Sequence, residues 1–195
     1  MTDSNNSTQF FKTACNFEGS LIIVAAVLGW LAGINPFEQL FFSEQAVMVG
    51  LLGTVPLFLF FVGMERVKLE SILKIRQLLS DTLGTNLYPC HWTDLFFLSA
   101  IAGFSEELLF RGLIQPWMEN AWGGLIGLLG SNIIFGLVHA VTPLYAVLAM
   151  LVGIYLGLSL DYGDERNLLG PMIIHGLYDF LAFLMIMRAY KPKPE

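Results

Sequence analysis

Glu106, Glu107 and Arg111 stand inside a stretch, Asp94 to Met118, whose other residues are apolar enough to cross a bilayer. Charges at that depth are costly and mark functional sites. Glu107 and Arg111 are four apart, acid before base, so on a helix they share a face and can neutralise each other inside a bundle. Glu106 points about 100° away and has no such partner. A carboxylate left unneutralised there is suited to taking and returning a proton. The chain's remaining intramembrane polar groups are of complementary types. His139 closes a later apolar run, and His175 and Asp179, again four apart, share a face in the last one. One buried histidine reads as a satisfied core residue, whereas two histidines, an acid pair and a further aspartate suggest a shared cavity. A static ion-pair network tying helices together is the competing reading, and it suits Arg111 better than Glu106.

Several hydrolytic chemistries are open to these residues. Glu106, His139 and His175 could form a two-histidine, one-carboxylate zinc site that activates water, but the His-Glu-x-x-His helix of common zinc proteases is absent. Ser105 lies in Gly-Phe-Ser-Glu, without the glycine that completes a serine nucleophile elbow. Tyr178-Asp179 and Gly163-Asp164 suggest the aspartates of intramembrane aspartyl proteases, in reversed order and with Asp161 where the earlier glycine would stand.

The pattern Glu106-Glu107-x-x-x-Arg111, Phe135-x-x-x-His139 and His175-x-x-x-Asp179 resembles the three-motif signature of the CAAX-protease and bacteriocin-processing family of intramembrane glutamic endopeptidases. The resemblance covers roughly Thr93 to Met187, with the motifs in the right order on successive apolar runs. It implies helices around a conical polar cavity and a peptide bond hydrolysed by water, without a metal cofactor. Carried over residue by residue, Glu106 is the general base and His139 holds and polarises the water. His175 and Asp179 face the scissile carbonyl, and Glu107, Arg111 and Phe135 support them. Better-studied relatives often have Asn where this chain has Asp179. An ionised aspartate would repel a developing oxyanion, so Asp179 is expected either to be protonated in place or, the favoured reading, to orient and charge His175. The resemblance further implies a membrane-embedded or lipid-modified peptide or protein as substrate, and a short chain like this resembles bacterial or cyanobacterial members, placing it in a plasma membrane. Some members are suspected of scaffold or immunity roles without proteolysis, and this is the alternative function.

The elements that must position these groups are helices. With 55% hydrophobic residues, 16 Phe and a mean hydropathy of +0.66 over 195 residues, the chain lies outside the range of a soluble domain. Several windows match the roughly 20 residues a helix needs to span a bilayer. The fold class is therefore all-α, a polytopic membrane bundle of about six spans: 18–34, 46–64, 93–118, 122–141, 144–160 and 168–187. Asn35-Pro36, Thr142-Pro143 and the polar run 161–167 punctuate them. Residues 1–17 are expected to form a disordered tail, 18–190 a single domain with its catalytic core at 93–187, and 191–195 a short C-terminal tail. The long connection 65–91 interleaves Ile72, Ile75 and Leu79 with Arg66, Lys68, Lys74 and Arg76, a pattern suited to an amphipathic helix lying on headgroups.

Basic residues set the orientation. In a six-span topology Lys12, the four basic residues of the long connection, Arg188, Lys191 and Lys193 share one side, and the other receives Arg166. Both termini are thus expected to be cytoplasmic. At about 1.5 Å per residue Glu106 lies roughly 20 Å into its span, yet His139 lies just before Thr142-Pro143. The two can meet only where that turn lies below the membrane surface, which predicts a cavity open to the cytoplasm. The net charge of -6 comes from scattered acids and carries no nucleic-acid inference. Cys15 and Cys90 form no spaced pattern and are expected to be free thiols. Trp92, Trp117 and Trp122 fall at span ends, as interfacial aromatics do. Six short spans without an internal repeat do not match carriers built from two similar halves.

Overall fold

The structure, a computed structural model, describes the backbone of residues 2–191 and the side chains of 7–191. It is all-helical, the architecture of a polytopic membrane bundle. The helices follow in the order α1 (Thr2–Ala32), α2 (Glu44–Met64), the short α3 (Glu70–Leu79) and α4 (Thr85–Leu87), α5 (Trp92–Leu109), α6 (Gln115–Trp122), α7 (Gly124–Val138), α8 (Pro143–Ser159) and α9 (Leu169–Ala189). Two π-helical turns, Ser80–Gly84 and Phe110–Ile114, join α3 to α4 and α5 to α6. Three helices, Ser7–Ala32, Glu44–Met64 and Leu169–Ala189, are long and apolar enough to cross a membrane, and α7 and α8 are shorter apolar helices.

Helix ends follow local chemistry. Ser43 caps α2 by accepting from the Ala46 amide, and Thr142 caps α8 by accepting from Tyr145, with Pro143 at the first helical position. At α5 the His91 ring accepts from the Thr93 amide while Asp94 accepts from the His91 amide, a reciprocal box. Gly123, at φ +89°, reverses the chain between α6 and α7 in a conformation that side chains resist.

The expectation of a disordered tail over 1–17 is corrected: from Thr2 onward this stretch is the first part of α1. Its polarity hid an apolar stripe at helical spacing, since Phe10, Phe11, Ala14 and Cys15 pack on the buried cluster of Leu87, Leu95 and Leu98. Residue 1 and residues 192–195, most of the expected C-terminal tail, lie outside the described residues.

α5 and α9 form the centre. α5 packs on α1 and α9, α2 packs on α9, and α7 packs on α6 and α8. The approach of α5 to α9 depends on Gly103, where an added Cβ would lie 2.6 Å from the Gly176 amide nitrogen. The long connection forms the expected amphipathic helix, with Lys68 and Lys74 exposed. Its apolar side, however, turns toward the protein: Ile72 and Ile75 are buried and, with Leu79 and Leu83, roof a cavity among the long helices.

Candidate active site

The two glutamates of α5 diverge as their 100° separation requires. Glu107 Oε1 accepts from Arg111 Nη1 at 2.7 Å and lies 2.7 Å from His175 Nδ1. Arg111 sits on the π turn Phe110–Ile114, and such wide turns inside α-helices recur at functional sites. Its Nη2 donates to Asn132 Oδ1 on α7 at 2.9 Å and to the Gly153 carbonyl on α8 at 2.8 Å. A side chain at 153 would collide with Asn132, so glycine there lets the guanidinium reach the backbone. Glu107 and Arg111 are fully enclosed, at 0% and 1% exposure. One ion pair thereby ties together α5, α7, α8 and, through His175, α9.

Glu106 faces away from this network. It is 8% exposed, lines a cavity of about 400 Å³, and its Oε2 has no hydrogen-bond partner. His139 Nε2 lies 3.4 Å from that oxygen. His139 ends α7, and its Nδ1 lies 2.8 Å from the Phe135 carbonyl. A carbonyl only accepts, so Nδ1 carries the proton and, in the neutral ring, Nε2 is a bare acceptor toward Glu106. Glu106 Oε2 and His139 Nε2 thus present two acceptors to one point of the cavity. The shortness of α7 brings them together, since its C-terminal turn stops at the depth of Glu106.

Phe135 touches both halves of the site. Its ring lies 4.3 Å from that of His139 and 6.1 Å from that of His175. The Arg111 guanidinium carbon stands 4.7 Å from its centroid, a cation–π contact. Asp179 Oδ2 lies 3.5 Å from His175 Nε2. The nearer carboxylate to that ring is Glu107, 2.7 Å from the other nitrogen, Nδ1. All seven residues singled out from the sequence, Glu106, Glu107, Arg111, Phe135, His139, His175 and Asp179, come together at this one place.

Other residues belong here that the sequence reading passed over. Asn132 is fully buried and completes the Arg111 network, and its signal was a lone amide within an apolar span. Glu18 and Tyr145 line the cavity. Glu18 was taken as the edge of a span because the residues before it read as a tail. Tyr178 lines the cavity, whereas Phe180 packs edge-on against Phe96. Ser105 is wholly enclosed and donates to Glu18 Oε2 at 3.2 Å and to the Ala102 carbonyl, a setting that does not suit a nucleophile. Among the described residues no three His, Cys, Asp or Glu side chains are grouped so as to hold a metal ion. Cys15 and Cys90 are unbridged.

The cavity runs from these groups toward the end of the bundle that carries the 65–91 connection, since Phe10, Glu65, Arg76 and Ile186 also line it. At the opposite end Arg166 grips Glu119 with two hydrogen bonds, 2.6 and 2.8 Å, and also reaches Asp161. Burial pushes the Glu119 carboxyl upward, but the hydrogen bonds from Arg166 and Gln115 more than offset this and hold it below the usual carboxylate range.

No curated protein and no solved structure shows significant similarity to the chain. Residues 89–181 do match a family described as type II CAAX prenyl endopeptidase, Rce1-like. The match runs from the start of α5 into α9 and takes in Glu106, Glu107, Arg111, Phe135, His139, His175 and Asp179. Over this segment, the one that builds the buried polar site, the chain is similar to the Rce1-like type II CAAX prenyl endopeptidase family.

Proposed function

We propose that the protein is a membrane peptidase that hydrolyses a peptide bond of a membrane-associated substrate with water activated by Glu106 and His139. The observation that carries this reading is the convergence of two acceptors, Glu106 Oε2 and His139 Nε2, 3.4 Å apart at the cavity wall. A water held between them gives one proton to Glu106 as its oxygen attacks the scissile carbonyl. The resulting oxyanion needs a donor. His175 supplies it through Nε2–H when both ring nitrogens carry protons, with Nδ1 fixed on Glu107. Collapse breaks the C–N bond, and the leaving amine takes the proton back from Glu106. The products are a carboxylic acid and an amine, and the acid's proton passes to the amine to leave a carboxylate and an ammonium group.

Asp179 positions His175 in this scheme, and Glu107, Arg111 and Asn132 hold the framework. The apolar walls, among them Leu57, Phe60, Phe61, Leu148 and Val152, suit a membrane-embedded or lipid-modified peptide, in keeping with the prenylated substrates of the family. By the distribution of basic residues both termini lie in the cytoplasm, and the cavity opens on that side. Zinc is not part of the scheme, in which Glu106 and His139 activate the water.

The test is cleavage of a fluorogenic apolar peptide library by the purified protein in detergent, for wild type and Glu106→Gln, with and without a strong zinc chelator. Activity that survives chelation and disappears in the variant is expected. Activity lost on chelation and restored by zinc would overturn the metal-free scheme, and absence of cleavage by a folded wild type would favour a scaffold.

A further inference from the structure

The Rce1-like segment leaves out α1, yet α1 contributes a carboxyl group to the same cavity. Glu18 Oε2 accepts from Ser105 Oγ at 3.2 Å, which seats it beside the residue preceding Glu106. It lines the cavity together with Glu106, His175 and Asp179. Its hydrogen bond from Ser105 is the one that the described residues supply to its side chain, and among them no lysine or arginine pairs with it.

The charge balance of the cavity is one-sided. Its acidic lining residues are Glu18, Glu65, Glu106 and Asp179, and its one arginine is Arg76. Arg76 is already engaged at the roof, where it donates to the Glu65 and Val67 carbonyls and pairs with the Glu65 carboxylate at 3.6 Å. Taking that pair away leaves three carboxyl groups facing two histidines in an otherwise apolar, low-dielectric space, where like charges repel strongly. A second observation points to a ligand: Glu106, more than nine-tenths buried, aims an unpartnered oxygen into this space. Glu106 and Asp179 each have a histidine nitrogen close by, at 3.4 and 3.5 Å, whereas Glu18 has none within ion-pair distance among the described residues. Of the three, Glu18 is free to serve the substrate.

We propose, on the basis of the peptidase reading, that Glu18 is a specificity-determining residue selecting apolar peptides that carry a basic side chain next to the scissile bond. A lysine or arginine placed there gives Glu18 the charge-assisted partner it lacks and relieves the repulsion among the carboxylates. An acidic side chain at the same position adds to that repulsion and is rejected. The selection acts through the charge of the cavity wall and leaves the bond-breaking step to Glu106 and His139.

The experiment is a competition in one tube between apolar peptides identical except for lysine, norleucine or glutamate at each position flanking the cleaved bond. Because both substrates meet the same enzyme molecules, the ratio of kcat/KM values does not depend on how much of a variant is folded. Wild type is expected to prefer lysine to norleucine by at least about tenfold at one position, the scale of a desolvated charge pair, and to disfavour glutamate. Glu18→Gln should bring the lysine-to-norleucine ratio close to one, Glu18→Asp should keep most of it, and Glu18→Lys should turn the preference toward glutamate. Equal use of lysine and norleucine by wild type, or an unchanged ratio in Glu18→Gln, would overturn the inference. Equilibrium binding of the same peptides to Glu106→Gln separates its failure from that of the peptidase reading. A Glu18-dependent lysine preference in binding without cleavage by wild type would sustain the role of Glu18 and reject the peptidase, and cleavage without that preference would do the reverse.

Discussion

Glu106 and Glu107 are neighbours in sequence with the same side chain, and the fold gives them opposite surroundings. Glu107 lies inside a packed network of Arg111, Asn132, the Gly153 carbonyl and His175, all within 2.9 Å of their partners. Glu106 lies at the wall of a cavity with one histidine at 3.4 Å and an oxygen that nothing in the protein engages. Glu107 Oε2 also lacks a hydrogen bond, but neither Glu107 nor Arg111 reaches the cavity. One step along a helix thus separates a group that holds the bundle together from a group that remains available for chemistry. An acid pair within a membrane helix is two functions, and a test of either must leave the other standing.

The most direct way to break this comparison is to remove each charge separately. Glu106→Gln keeps the shape and deletes the proposed base, so kcat should fall by about 10²–10⁴-fold, the usual contribution of a positioned acid or base. The thermal midpoint in detergent should stay within about 2 °C of wild type. A large drop in the midpoint would show that Glu106, too, is structural. Arg111→Leu should do the converse. It breaks a buried pair and leaves the Glu107 carboxylate with His175 beside it but without the guanidinium, which costs about 3–5 kcal/mol and lowers Tm by roughly 10 °C in a chain of this size. Adding Glu107→Gln to Arg111→Leu should recover part of that loss, because the buried carboxylate that lost its guanidinium is then gone. A single variant with wild-type stability would mean that the network is not what joins α5 to α7 and α8.

The sequence made one half of this contrast more legible than the other. Acid and base four apart on an apolar helix announce their pairing through helix geometry, and Glu107–Arg111 is found so at 2.7 Å. The three motifs likewise marked Glu106, His139, His175 and Asp179, which line the cavity, because charged and imidazole groups stand out against an apolar background. Third partners were harder to see. Asn132 and the Gly153 carbonyl carry no charge, and only the packing of α7 against α8 makes them ligands of Arg111. Glu18 was hidden by the polar stretch before it, whose apolar face becomes visible only once Leu87, Leu95 and Leu98 are there to receive it. The same limit applied to α3. Its amphipathic pattern was plain, but a pattern does not say whether the apolar side meets lipid or a cavity.

Gly103 sharpens the comparison from the backbone side. It lies one turn before Glu107, where α5 meets α9, and an added Cβ would fall 2.6 Å from the Gly176 nitrogen, 2.8 Å from its Cα and 3.0 Å from the Met172 carbonyl. These are backbone atoms and cannot swing aside, so Gly103→Ala must push the two helices apart, at a cost of about 1–3 kcal/mol for overpacking. Separation of α5 from α9 also lengthens Glu107 to His175, so peptidase activity should fall with stability. Full activity with a lowered midpoint would show that the contact between Glu107 and His175 is not needed for turnover.

The smallest effect is expected at the other ion pair, Arg166 with Glu119, which provides the solvated counterpart of Arg111 with Glu107. Although burial opposes it, hydrogen bonding from Arg166 and Gln115 sets the Glu119 pKa below its ordinary 4.5. A group depressed in the folded state stabilises the fold above its unfolded pKa, and that contribution is lost as pH falls through the folded value. Wild type should therefore lose stability below about pH 4.5 more steeply than Arg166→Met, the difference at neutral pH being under about 1 kcal/mol for a partly exposed pair. Thermal midpoints measured between about pH 3 and 7 at low and high salt distinguish the two environments. Salt should erode the Arg166 contribution within the Debye screening of water and leave the cost of Arg111→Leu almost untouched, because no counter-ion reaches a guanidinium sealed among α5, α7 and α8. Equal salt sensitivity of the two pairs would place Arg111 in contact with solvent and remove the distinction between the enclosed glutamate and the available one.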